Sequence, residues 1–141
     1  MILELKEVST FYGQSHILHD VSLTVGQGEV VCLLGRNGAG KTTTLRGIMG
    51  LAPPRSGSIR FRGMEISQKK PFQVARLGIG YVPDDRRIFP DLTVCENLEL
   101  ARRVSGRGRV GWTLERIYEL FPVLGAARRR KGLQLSGGEQ K

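Results

Sequence analysis

The 141 residues contain two cysteines, two histidines and one tryptophan. Cys32 lies in an apolar run and Cys95 near a predicted helix start, and neither forms a metal-site spacing with His16 or His19. The composition therefore gives no sign of a disulfide framework or of a cysteine–histidine metal centre. We expect both thiols to be reduced and buried in a cytosolic protein.

Long hydrophobic runs are also missing. No apolar segment approaches the roughly 18 residues that a membrane span needs, and the N-terminal residues Met1–Glu4 do not resemble a signal peptide. We therefore expect a soluble, cytosolic chain that reaches a membrane only through a partner.

Acidic residues are scarce, and the net charge is +9. Lysine and arginine dominate residues 102–131, where the acidic residues are Glu115 and Glu119. A basic surface of this kind fits nucleic acid or an anionic membrane. We favour the solvated face of a helical subdomain and expect no nucleic-acid partner.

Glycine, in contrast, is abundant, and three glycines cluster in the segment Leu33–Thr43, which contains the pattern G-x-x-x-x-G-K-T. Glycines let the backbone N–H groups turn inward toward an anion, Lys41 adds charge for the outer phosphates, and Thr42 offers a hydroxyl to Mg²⁺. An apolar run precedes the loop and a helical pattern follows, the context that separates a phosphate-binding loop from a glycine-rich turn. The predicted nucleotide contacts are Gly35, Arg36, Asn37, Gly38, Ala39, Gly40, Lys41, Thr42 and Thr43.

A second motif, L-S-G-G-E-Q, occupies Leu135–Gln140. Ser136 followed by two glycines is typical of a helix start, and a helix N-terminus binds anions. Alone, the motif would indicate a capped helix and nothing more.

The elements read from periodicity and turn residues are as follows. The predicted strands are Ile2–Val8, Ile17–Val25, a buried parallel strand Glu29–Leu34, Ser58–Arg62 and Ile79–Val82; the predicted helices are Lys41–Met49, Pro71–Leu77, one capped at Thr93 that reaches about Val104, and Leu114–Phe121.

The two motifs together resemble the ATP-binding cassette (ABC) ATPases, and the resemblance covers the whole chain. It implies an α/β fold: a P-loop NTPase (RecA-like) core with an antiparallel β subdomain and a helical subdomain, truncated before the Walker B strand. The implied divisions of a partial nucleotide-binding domain, 1–141, are residues 1–83 for the β subdomain and P-loop core, 84–135 for the helical subdomain, and 136–141 for the signature motif and the start of the next helix.

The resemblance also assigns roles to single residues. Tyr12 occupies the position that stacks on adenine, and Thr43 would contact an inner phosphate. Ser136, Gly137, Gly138 and Glu139 would contact the ATP of a partner cassette. The catalytic base is expected after Lys141, so no catalytic residue lies within the chain, and we expect these 141 residues alone to be inactive.

Asp84 departs from the family pattern. Most members place there a glutamine that touches Mg²⁺ and connects the site to the membrane partner. A carboxylate can bind Mg²⁺ through oxygen, so Asp84 is a second candidate Mg²⁺ ligand beside Thr42. The expected coupling loop consists of Asp84, Asp85, Arg86 and Arg87.

The resemblance is strongest to the second ATPase of branched-chain amino acid importers. It implies ATP and Mg²⁺ as cofactors, a second ABC ATPase subunit and membrane permease subunits as partners, an indirect link to a periplasmic or extracellular solute-binding protein, and a place on the cytoplasmic face of the cell membrane. The alternatives are a urea or amide importer of the same subgroup, a non-transport ABC ATPase acting on ribosomes or DNA, and a nucleotide-binding module without catalysis.

Overall fold

A computed structural model describes residues 1–85, 87–104 and 112–140 of the chain. The chain divides into two compact units, Met1–Ile79 and Gly80–Lys141. The boundary predicted after residue 83 stays a prediction.

The first unit is built on a four-stranded antiparallel sheet in the order β2-β1-β3-β4. The strands are β1 (Leu3–Tyr12), β2 (Ser15–Val25), β3 (Ser56–Phe61) and β4 (Met64–Glu65). The first two are longer than the sequence predicts, because Tyr12 pairs with Ser15 across a two-residue connection. Gly13 begins that connection with φ 61°, a conformation that glycine adopts without strain.

The core of this unit lies under the inner face of the sheet. Its most deeply buried side chains come from β1, β3 and the segments that follow β4: Leu5, Val8, Ile59, Ile66 and Val74. The first unit also contains two helices, α1 (Lys41–Ile48) and α2 (Pro71–Arg76). Pro71 occupies the first turn of α2, where its fixed φ suits a helix and its missing N–H costs no hydrogen bond.

Two predicted strands are absent from the described residues. Glu29–Leu34 and Ile79–Val82 form no ladder, and Val30 and Leu34 are 95% and 88% exposed. An inner parallel strand is buried because neighbouring strands and helices cover it, and no described strand pairs with either run. Cys32, expected to be buried, is therefore exposed.

The second unit is helical. It contains α3 (Val94–Val104), α4 (Leu114–Leu120), α5 (Pro122–Ala126) and a 3₁₀ turn at Gly132–Gln134. The sequence predicts α3 and α4 but misses α5, because Pro122 is read as a stop when it also begins a new helix at its first position. None of the helices within the described residues is long and apolar enough to cross a membrane.

Candidate nucleotide-binding site

The loop before α1 turns tightly around its glycines. Gly38 and Gly40 have φ values of 83° and 86°, and the Ala39 N–H donates to the carbonyl of Arg36 over 3.1 Å. Left-handed backbone in this region strains residues that carry a Cβ. Gly40, a fixed position of the G-x-x-x-x-G-K-T pattern, and Gly38, at one of its variable positions, therefore supply glycine where the loop needs it.

Gly40 is required by packing as well as by conformation. It is the N-cap of α1, and a Cβ added there would lie 2.6 Å from Cδ2 of Leu18 and 3.5 Å from the carbonyl oxygen of Ile17. This close approach fixes the start of α1 against β2.

Lys41 is the first residue of α1, and its side chain folds back over the loop. The Nζ atom donates to the carbonyl oxygens of Gly35 (2.7 Å) and Arg36 (2.8 Å). The ammonium charge therefore lies at the mouth of the loop, where it can transfer these two hydrogen bonds to a phosphate. No acidic residue lies in the first turn of α1 and no side chain caps it, so no carboxylate of the helix itself opposes a bound anion.

Three consecutive threonines follow Lys41 and lie in different surroundings. Thr42 is exposed and Thr43 is buried. Thr44 has a role that was not predicted: its hydroxyl donates to the carbonyl of Gly40 over 3.0 Å. A threonine four residues after a helix-start glycine is a recognisable signal for such a back-bond, which fixes the first turn of α1.

Tyr12 lies at the end of β1 and is 45% exposed. Thr10 pairs with Leu18, the residue against which Gly40 packs. Alternate residues of a strand share a face and rise about 3.3 Å each, so Tyr12 is displaced by about 7 Å along the strand from the position opposite Leu18. Tyr12 thus lies two residues along β1 from the residue that pairs with Leu18, beyond a register irregularity between Thr10 and Phe11.

The signature motif forms a capping box. The Ser136 N–H donates to Oε2 of Glu139 over 2.6 Å, and the Glu139 N–H donates to Oγ of Ser136 over 3.4 Å. The Gln140 N–H donates to the carbonyl of Ser136 over 3.1 Å, so these residues form a single hydrogen-bonded turn, and the helix expected to start here stays a prediction. Hydrogen bonds from Ser136, with a smaller contribution from Arg130, hold the pKa of Glu139 below its usual range. Ser136 and Gly138 are exposed.

Side chains that were not predicted to have a role hold the signature turn. Nε2 of Gln140 donates to the carbonyl oxygens of Gly132 (2.9 Å) and Leu135 (3.2 Å), and a guanidinium nitrogen of Arg130 donates to the carbonyl of Gln134. These partners lie within a few residues of one another, but no periodicity marks them.

The predicted coupling loop is a surface turn. Nε of Arg87 donates to Oδ2 of Asp85 over 2.6 Å, and Asp84 is exposed. Arg86 lies outside the described residues. No group of three or more potential metal-binding side chains occurs among the residues that the structure describes, so Asp84 is not part of a preformed acidic cluster.

Comparison with known proteins agrees with the family resemblance drawn from the two motifs. Residues 18–141 match the family described as "ABC transporter". The branched-chain amino acid transport ATP-binding proteins BraG of Pseudomonas aeruginosa and LivF of Archaeoglobus fulgidus are 39% and 35% identical over 140 residues, which is 99% of this chain. The lipopolysaccharide export ATP-binding protein LptB of Escherichia coli is 37% identical over 141 residues.

The solved structures confirm the fold class. An ATP-binding subunit of an ABC transporter superposes with a TM-score of 0.81 at 32% identity, and a dimeric post-hydrolysis state of the ATP-binding cassette MJ0796, bound to ADP and Pi, gives 0.81 at 28%. Both comparisons cover 99% of this chain, and 58% and 65% of the respective structures. The chain spans about 60% of the length of BraG and 59% of that of LivF.

Proposed function

Because this chain belongs to the ABC transporter family, we propose that it forms the nucleotide-binding part of a transport ATPase that imports branched-chain amino acids. The observation that carries the proposal is the loop around Lys41, whose ammonium already hydrogen-bonds at the loop mouth where a phosphate would lie. The likeness to BraG and LivF supports the class of solute.

The proposed reaction begins with ATP in the Gly35–Thr43 loop. The N-terminus of α1 faces the anion, Lys41 exchanges its two carbonyl contacts for phosphate oxygens, and Tyr12 stacks on the adenine. The exposed hydroxyl of Thr42 fits Mg²⁺, which prefers oxygen ligands and retains several waters. When bound, Mg²⁺ would neutralise charge on the phosphates.

The signature turn would act on the nucleotide of a second subunit. Ser136 and Gly138 are exposed, and the capping box fixes their turn, so hydroxyl and N–H donors can meet a phosphate carried by another molecule. The dimeric cassette among the solved relatives, which holds ADP and Pi, supports a paired arrangement. The partner is an identical or a related ATPase subunit.

The turn at Asp84–Arg87 would contact the membrane permease. The side chains of Asp84, Asp85 and Arg87 are exposed, and Nε of Arg87 lies 2.6 Å from Oδ2 of Asp85. We propose that the subunit lies on the cytoplasmic face of the membrane, with the solute-binding protein on the other side.

A second candidate is export of a lipid-linked substrate, which the 37% identity to LptB favours. The two functions share the ATP chemistry and differ in the permease. Reconstituting the complete transporter in proteoliposomes separates them. We expect ATP-dependent accumulation of leucine, isoleucine or valine that disappears in the Lys41→Ala variant.

Accumulation of urea or short amides in place of these amino acids would redirect the proposal to the urea and amide importers. ATP-dependent release of lipopolysaccharide from the membrane, without amino acid uptake, would replace import by export. Absence of ATP-dependent movement of any of these solutes would contradict the transport function.

A further inference from the structure

The side chain of Asn97 hydrogen-bonds to the backbone of loop 89–93, which follows the predicted coupling residues. Its Nδ2 donates to the carbonyl oxygens of Phe89 (3.0 Å), Leu92 (3.2 Å) and Thr93 (3.0 Å), and its Oδ1 accepts the N–H of Phe89 over 2.9 Å. One half-buried amide thus contacts four backbone groups, with its two N–H protons shared among three carbonyl oxygens. A network of this kind favours one loop conformation, because the side chain bridges carbonyl oxygens that also accept backbone N–H groups, as that of Leu92 does from Gly132 and that of Thr93 from Asn97.

The loop held by Asn97 is joined through the backbone to the residues before the signature. The first two N–H groups of α3 donate outside the helix, Val94 to the carbonyl of Arg130 (3.0 Å) and Cys95 to that of Arg128 (3.1 Å). Thr93 and Lys131 form an antiparallel bridge. We call Arg128–Leu135 the pre-signature segment.

The junction is tightest at Gly132. Its N–H donates to the carbonyl of Leu92 over 2.9 Å, and the next N–H, of Leu133, donates to that of Pro90 over 3.0 Å. A Cβ at Gly132 would lie 2.8 Å from Cδ1 of Ile88 and 2.9 Å from the carbonyl oxygen of Phe89. Since one of these neighbours is backbone, any residue larger than glycine would push the two segments apart.

The pre-signature segment in turn holds the signature turn. Gln140 donates to the carbonyls of Gly132 and Leu135, and Arg130 lies 4.0 Å from Oε1 of Glu139. A continuous set of hydrogen bonds therefore runs from Phe89 through Gly132 to Gln140, all within the second unit.

We propose that Asn97 is a positioning residue for the signature turn: by clamping loop 89–93 against the pre-signature segment, it sets where Ser136 and Gly138 stand. The proposal rests on the proposed function, in which that turn meets the ATP of a second subunit. Asn97 itself touches no nucleotide. Its loss should therefore weaken pairing of subunits and leave ATP binding at Lys41 unchanged.

The test is Asn97→Asp in the complete protein. The carboxylate keeps an acceptor for the Phe89 N–H but faces three carbonyl oxygens without a donor. With the non-hydrolysable analogue AMP-PNP, we expect nucleotide affinity within about twofold of the parent and nucleotide-driven dimerisation weaker by roughly tenfold, the equivalent of about 1.4 kcal/mol. Gln73→Glu is the matched control, because that side-chain amide accepts the Lys70 N–H at the start of α2 in the first unit, and it should dimerise like the parent.

Gly132→Ala replaces Asn97→Asp if the latter does not fold, and it should show the same split between binding and dimerisation. Dimerisation of the folded variant equal to that of the parent, or nucleotide affinity that falls in parallel with dimerisation, would overturn the role of Asn97. If the parent itself forms no nucleotide-driven dimer, the paired mechanism of the proposed function fails first, and this proposal falls with it.

Discussion

Ser136 and Glu139 cap each other: the Ser136 N–H donates to the Glu139 carboxylate over 2.6 Å, and the Glu139 N–H returns a longer contact of 3.4 Å to the Ser136 hydroxyl. The exchange leaves the Ser136 side chain exposed at the start of a turn. The same residue can therefore hold the turn and present it to a second molecule.

Ser136→Arg should separate these roles. The bulky cation blocks the approach of another subunit, while the loop around Lys41 is built from different residues. We expect near-parent ATP affinity and sharply reduced ATP-driven dimerisation and hydrolysis in the complete protein. Thr113→Arg, at the N-cap of α4, is the matched control, and dimerisation by Ser136→Arg at the parent level would argue against pairing in which the signature turn meets the ATP of a second subunit.

Gly57 is a stability test for the sheet. Its φ is +89°, and an added Cβ would collide with the carbonyl oxygen of Glu7 and lie 2.6 Å from that of Lys6. We expect Gly57→Ala to lower the free energy of unfolding by roughly 2–4 kcal/mol, combining left-handed strain with overpacking. Gly63 has φ +78° and open space around it. Gly63→Ala should therefore lower the free energy of unfolding by only about 1–2 kcal/mol. Equal losses of unfolding free energy in the two variants, measured by urea titration, would show that the close approach at Gly57 does not contribute to stability.

Glu65 should make the first unit sensitive to acid. Burial raises the pKa of its carboxyl, but hydrogen bonds from Ser58 and Ser67 and from backbone N–H groups outweigh it and lower the pKa from 4.5 to about 2. A lowered folded-state pKa stabilises the protein above pH 4.5, and this contribution is lost as the pH falls toward 2.

The Glu65→Gln variant should therefore lose less stability than the parent between pH 5 and pH 3, measured by urea unfolding. Ser67→Ala removes one donor and should move the Glu65 pKa back toward its ordinary value. A parent-like pH dependence in both variants would exclude Glu65 as the source.

What the sequence predicts well is local. The start of α1 at Lys41 and the capping box of Thr93 and Glu96 each depend on residues within a few positions, so their patterns can be read directly. The prediction of a strand at Glu29–Leu34 was wrong, because an inner strand needs partners distant in sequence and an apolar run alone does not supply them. Asn97 and Gly132 were missed for a related reason: their partners are fixed only when loop 88–93 meets residues 128–133.

The central claim is that the loop from Gly35 to Thr43 binds ATP, and direct titration of the complete protein tests it. The parent should bind ATP in the presence of Mg²⁺, and Lys41→Ala should bind roughly 10- to 100-fold more weakly, as expected for the loss of a charged hydrogen-bond donor. Lys6→Ala removes the same charge from an exposed position on β1, and this variant should bind ATP as the parent does. Equal ATP affinity in Lys41→Ala and the parent would contradict the account.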